Sequence, residues 1–209
     1  MPDKHQVAED TYKTIDSASE GAYRDRASKF LAFAFPVISE EEIRENLNSL
    51  KKKYFDANHH CFAWRLGADK KRYRTCDDGE PSNTAGMPIF GQIQSNDLTD
   101  VLVVVIRYFG GTKLGVSGLI NAYRTAASEA LHKCRIVEKT VNWSYEIRFS
   151  YNAMNEVMRI IKEEDLKMTN QNFDLNCSIK ISVRKSLAVK ITDRLKLIRS
   201  VEVIDLNIQ

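Results

Sequence analysis

VLVVVIRYFGGTKLGVSGLINAY, residues 101–123, passes from an apolar run to a helical pattern through one glycine-rich turn. A continuous apolar run bounded by turn signals reads as a strand buried on both faces. It ends at Arg107. Gly110, Gly111, Lys113 and Gly115 follow, and from Ser117 the apolar residues recur at helical spacing. A buried strand therefore delivers an arginine, a lysine and several glycines to a turn that opens onto a helix. Converging backbone amides and two cations suit an anionic partner. No glycine-lysine-serine/threonine triplet ends the turn, so it is not a Walker A loop, and GxGxxG is also absent. A second reading is compatible with the first. The glycines permit a tight strand-to-helix turn, Arg107 pairs with a carboxylate such as Asp78 or Glu80, and Lys113 stays free for a ligand.

Upstream, residues 11–16 and 27–35 read as strands. Ser39 opens a helix: Ser39 and Glu42 have capping-box spacing, and Ile43, Leu47, Leu50 and Tyr54 form its apolar stripe. Lys51–Lys53 at its end complement the helix dipole. Residues 59–66, HHCFAWRL, read as a strand with His59, Cys61, Ala63 and Arg65 on one face and His60, Phe62, Trp64 and Leu66 on the other. A short basic strand, 72–76, precedes a loop over 77–88. From Ser117 a helix buries Leu119, Ile120, Tyr123, Ala127, Ala130 and Leu131.

The tail changes rhythm. Residues 141–150 alternate as a strand, 152–164 read as a helix, 166–173 and 176–183 as a strand pair, 186–197 as a helix and 201–208 as a last strand. This β-α-β-β-α-β order is the ferredoxin-like plan. The expected fold is α+β, with domains at 1–137 and 138–209.

The composition excludes several classes. No apolar run approaches the ~20 residues of a membrane span, and the N-terminal residues MPDKHQVAEDTYKT lack the apolar core of a secretory signal. A cytoplasmic location is expected. Cys61, Cys76, Cys134 and Cys177 show neither CxxC spacing nor a disulfide framework, so no structural metal and no cofactor are expected. The 31 basic and 28 acidic residues leave a net charge of +3, too balanced to announce a nucleic-acid binder by itself. Any such role rests on a local patch.

Two further constellations bear on function. Asp77, Asp78 and Glu80 lie within DDGEPSNTAG, residues 77–86. Three close carboxylates suit a divalent cation or acid–base work; a structured loop, with aspartates bonding nearby amides, also explains them and is the simpler reading. His59 and Cys61 sit side by side on one strand face, as a Cys–His nucleophile pair does, although a buried cysteine beside a hydrogen-bonded histidine has the same spacing.

These blocks, in this order, resemble the IMPACT family over nearly the whole chain. The resemblance is carried by ANHHCFAWR (57–65), DDGEPSNTAGMP (77–88) and RYFGGTKLGVSG (107–118), with a weaker echo in SKFLA (28–32). Asn83 stands where the family usually has glycine, Phe90 where it has an aliphatic residue, Ser117 in place of one of a glycine pair, and Asn121 where arginine is common. The resemblance implies an N-terminal domain like the second domain of ribosomal protein S5 and a C-terminal one like domain V of elongation factor G. Eukaryotic members regulate translation by binding a large activator protein and so restraining a kinase. They carry an extra N-terminal interaction domain that is absent here, so that kinase role does not transfer.

The expectation is a non-enzymatic protein that binds RNA, the ribosome or translation factors, without DNA sequence specificity and away from membranes. The cleft would be formed by His59, Cys61, Asp77, Asp78, Glu80, Arg107, Gly110, Gly111, Lys113, Gly115 and Arg124. Arg107, Lys113 and Arg124 would be its phosphate contacts. Two alternatives stand: a small-molecule hydrolase or transferase using Asp77, Asp78 and Glu80, and a protein–protein adaptor using the C-terminal sheet.

Overall fold

The computed structural model describes residues 10–174 and 176–207. They group into two compact units, 12–139 and 140–207, with Asp10 and Thr11 joining the second. The fold is α+β throughout.

The first unit holds β1 (Thr11–Ile15), β2 (Ser19–Asp25), β3 (Ser28–Pro36), α1 (Glu40–Lys53), β4 (His59–Leu66), β5 (Arg72–Cys76), α2 (Gly86–Ser95), β6 (Val101–Tyr108), α3 (Gly115–His132) and β7 (Ile136–Thr140). Five strands form an antiparallel sheet in the order β2-β3-β6-β4-β5, and β1 pairs with β7. Strand β6 is central and buried over Val101–Arg107, as its apolar continuity requires. Its alternate residues feed two cores. Val103 and Val105 join Cys61, Ala63 and the helices α2 and α3. Leu102, Val104 and Ile106 join Trp64, Leu66 and the α1 residues Ile43 and Leu50. The two faces of β4 thus divide as the sequence implies. Small residues let α3 lie close on the sheet: a Cβ added at Gly21 of β2 would stand 2.4 Å from the backbone nitrogen of Ala130.

Helix α1 begins as its capping residues dictate. The Ser39 hydroxyl accepts from the Glu42 amide at 3.2 Å. The Glu42 carboxylate reaches one residue beyond the usual capping box, accepting from Ile38 N at 2.8 Å.

Three elements escaped the sequence pattern. Strand β2, SEGAYRD, is a polar edge strand with little alternation. Helix α2, GMPIFGQIQS, carries glycines and a proline, and its first turn falls within the 77–88 stretch that the sequence pattern makes a loop. The proline is tolerated because it lies in the first turn, where its missing N–H has no intrahelical partner. Among the described residues, strand β7 pairs only with β1, and it is mostly exposed.

The second unit runs β8 (Asn142–Ser150), α4 (Met154–Glu163), β9 (Lys167–Phe173), β10 (Asn176–Arg184), α5 (Ala188–Lys196) and β11 (Val201–Asp205). The antiparallel order β11-β8-β10-β9 is that of a ferredoxin-like domain. Tyr145, Ile147, Phe149, Ile179 and Ile181 face a core closed by Val157 and Ile161 of α4 and Ile191 and Leu195 of α5. The expected strand end at Ile208 lies outside the described residues. Asp10, assigned from sequence to the first domain, bonds within this unit: its carboxylate accepts from Arg184 Nε and from Ser186 N.

Candidate functional site

Strand register builds the site. Phe30 of β3 and His59 of β4 both lie opposite Arg107 of β6. All three therefore stand at one end of the sheet on the face covered by α3 and the 77–85 loop. Arg107 Nη1 donates to Glu80 Oε1 at 2.7 Å, and the two side chains are only 6% and 4% exposed. Tyr123 of α3 donates its hydroxyl to the same oxygen at 2.7 Å, and His59 Nε2 lies 3.8 Å from it. Arg107 Nη2 reaches the Ser28 hydroxyl at 3.4 Å, which also accepts from Gly110 N. The guanidinium lies 5.4 Å from the ring centroids of both Phe30 and Phe109. Its Nε is buried without an acceptor.

The rest of the loop is tied by backbone bonds. Asp77 Oδ1 accepts from Ala85 N and Gly86 N, and Oδ2 from Asn83 N, at 2.8–3.0 Å. Asp77 thereby caps α2, whose own flanking residue offers no side-chain bond. Asp78 Oδ2 accepts from His60 N at 2.6 Å, and its carbonyl meets His59 Nδ1 at 2.8 Å. Gly79 takes a positive φ of 86° beneath the His59 ring. Replacing Asp77 with alanine is expected to cost about 1–2 kcal/mol, the value of a helix cap. Urea unfolding of that variant checks it, and an unchanged midpoint would contradict the capping role.

Cys61 is not at the cleft. It is fully buried, with Sγ 2.9 Å from the Asp77 carbonyl and 3.3 Å from the Tyr123 hydroxyl. Burial pushes its thiol up, away from the reactive thiolate. Burial likewise raises the Tyr123 phenol and lowers the His60 imidazolium pKa. His59 bonds to the loop rather than to Cys61, so the Cys–His pair is a packing arrangement.

The glycine turn divides in two. Gly110 serves close packing: a Cβ there would stand 2.2 Å from the carbonyl carbon of Ala27. Gly111 and Gly115 have positive φ of 86° and 75° with open space around them. Lys113 between them is exposed and has no partner among the described residues. A cavity of about 340 Å³ lies beside it, lined by Glu80, Pro81, Arg107, Phe109, Lys113, Leu114, Gly115, Val116 and Leu119. Arg124 is exposed on α3 but lines no part of it; it lies nine residues beyond Gly115, roughly 14 Å along the helix axis. The structure thus gathers His59, Asp77, Asp78, Glu80 and Arg107 into one bonded cluster and sets Lys113 and Gly115 at the adjoining cavity. Cys61 and Gly110 are packing residues, and Arg124 stands apart.

Sequence reasoning missed Ser28, Tyr123 and Phe109 as members of this cluster. Strand parity could have found Phe30 beside Arg107. The spacing from Leu119 to Tyr123 placed the phenol in the core but gave no sign of its partner. Among the described residues, no group of three or more His, Cys, Asp or Glu is placed to hold a metal ion.

Residues 26–131, which hold this whole cluster, match the Impact N-terminal domain. The chain belongs to the IMPACT family. It is similar to IMPACT family member YvyE of Bacillus subtilis, 30% identical over 84% of this chain and 81% of that protein. It is 28% identical to IMPACT family member YigZ of Escherichia coli, over 76% of this chain and 78% of the relative. Protein IMPACT homolog of Saccharomyces cerevisiae is 40% identical across 44% of this chain and 36% of its own length. A crystal structure described as that of a hypothetical protein shares the fold, with a TM-score of 0.73 over 96% of this chain and 99% of that one at 24% identity. Asn83 takes a left-handed φ of 62°, a region that asparagine tolerates better than other residues with a side chain.

Proposed function

We propose that this IMPACT-family chain is a non-enzymatic cytoplasmic protein that acts in translation by meeting RNA or the translation machinery at the 109–116 turn. The observation that carries this reading is Lys113. It is a cation without a partner among the described residues, between two glycines whose surroundings are open and at the start of a helix without a capping side chain. A phosphate can approach such a turn closely. Family resemblance supplies the link to translation, and fold likeness alone is a weak warrant for function.

The alternatives gain less support. The hydrolase or transferase reading needs carboxylates able to act. Asp77 is occupied by three amides, Glu80 by Arg107 and Tyr123, and one Asp78 oxygen by the His60 amide. The adaptor reading needs an apolar sheet face. The side of the C-terminal sheet away from its helices presents Ser144, Glu146, Arg148, Ser178, Lys180 and Ser182. No helix among the described residues is long and apolar enough to cross a membrane.

Arg107 is buried against Glu80, so Lys113 and Arg124 remain as charged contacts. The expected slope of log affinity for single-stranded RNA against log salt is therefore shallow, about −1.4 at ~0.7 per contact. Lys113→Glu should flatten the slope by about 0.7 or more and weaken binding alike across sequences, because phosphate contacts do not read bases. Filter binding across a salt series measures both. Absence of RNA retention at low salt, together with turnover of a phosphorylated metabolite, would transfer the case to the enzyme.

A further inference from the structure

We infer that the cavity beside Lys113 is a binding site for a small carboxylate with an apolar body. The volume of about 340 Å³ suits a molecule the size of a substituted benzene. Five side chains of its lining are apolar: Pro81, Phe109, Leu114, Val116 and Leu119. Phe109 and Val116 are 46% and 60% exposed at its edge, large apolar surfaces that a ligand would cover. Inorganic anions have nothing to gain from such walls.

The charge balance selects an anion. Arg107 and Glu80 offset each other through their 2.7 Å pair. Lys113 has no counter-ion among the described residues, and α3 begins at Gly115 without a capping side chain. The start of a helix adds roughly half a positive charge. One cation plus that half-charge suits an anion, and the apolar walls favour a carboxylate carried on an apolar body over inorganic phosphate; Arg124 stands too far along α3 to add a contact.

The Arg107 side chain is 6% exposed and forms part of the cavity wall, its guanidinium held by Glu80 and Ser28. The carboxylate is therefore left to the Lys113 ammonium, while the apolar body meets the walls. This goes beyond the translation reading and does not rest on it.

The test uses the full chain, labelled with ¹⁵N and free of nucleic acid. Three probes are titrated at neutral pH: 3-phenylpropanoate, its uncharged amide, and inorganic phosphate. The carboxylate should give saturable shifts confined to the amides of residues 107–119. The amide and phosphate should bind at least about tenfold more weakly. Lys113→Gln should weaken the carboxylate by about fivefold, and Val116→Glu by a similar factor. Both side chains are exposed, so the spectra of the free variants should overlay the parent outside the turn. Equal affinity for the amide reduces the site to an apolar dent, and equal affinity for phosphate reduces it to a bare anion site. Either result overturns the inference, as do unsaturable shifts, shifts elsewhere, or an unchanged affinity in Lys113→Gln. RNA is absent throughout, so the outcome is independent of whether the turn contacts RNA.

Discussion

Arg107→Ala lowers the stability of the N-terminal unit by about 3–5 kcal/mol, the cost of leaving one member of a buried ion pair alone. Glu80 is the residue left behind. Its carboxylate is 4% exposed and would keep only the Tyr123 hydroxyl and the more distant His59. The arginine also holds the Ser28 hydroxyl and lies against two aromatic rings, so alanine leaves a void as well as a charge. Stability of a whole domain is typically about 5–15 kcal/mol, which makes this a large fraction. Urea unfolding should show the loss as a lower midpoint. Replacing both partners with apolar residues of similar size should recover much of it, because the pair itself adds little beyond satisfying its members. A midpoint unchanged in Arg107→Ala would mean that the 77–85 loop is held by its backbone bonds alone.

Gly110→Ala is the second large effect, and its cause is different. The added Cβ would meet Ala27 and Ser28 backbone atoms at 2.2–2.4 Å, inside any tolerable contact. Those atoms cannot yield cheaply. Arg26 and Ala27 form the two-residue turn between β2 and β3, both at positive φ, and that turn sets the hairpin register. Separation would also strain the Gly110 N–Ser28 bond and, through Ser28, the second contact of Arg107. A loss of about 3 kcal/mol is expected, at the upper end of overpacking costs. Gly91→Ala is the control. Nothing lies within 4 Å of its added Cβ inside α2, so it should be neutral or stabilising by up to about 1 kcal/mol. Equal losses at the two positions would contradict the close-packing account.

The contrast between β6 and α2 shows what a sequence can convey. Strand β6 announces itself because six consecutive apolar residues, 101–106, need two cores to cover them. Helix α2 does not, because its start is stabilised by a residue nine positions before Gly86. Asp77 reaches across the loop, and no local spacing rule encodes that distance. The same limit applies to the site. Three carboxylates beside a strand-ending arginine made the Arg107–Glu80 pair readable as one of two options. Which carboxylate pairs depends on the turn at Asp78–Gly79, whose positive φ values send Glu80 inward. Tyr123 looked like an ordinary core residue of α3, since helical spacing reports burial and not hydrogen-bond partners. Cys61 beside His59 fits a nucleophile pair as well as a packed cysteine, because strand spacing shows neighbours and not depth. The C-terminal unit was the easier half, its strict alternation on β8 and β10 leaving one face for the helices and one for solvent.

The most direct test of the functional account compares cells expressing this chain with cells expressing Lys113→Glu. Crosslinked RNA and ribosomal fractions would be recovered from both after equal expression. Lys113 is exposed and has no partner among the described residues, so its replacement should leave the stability within about 0.5 kcal/mol of the parent, as for other surface substitutions. The account predicts RNA or ribosomal material with the parent chain and markedly less with the variant. Equal recovery from both, or none from either, would contradict it.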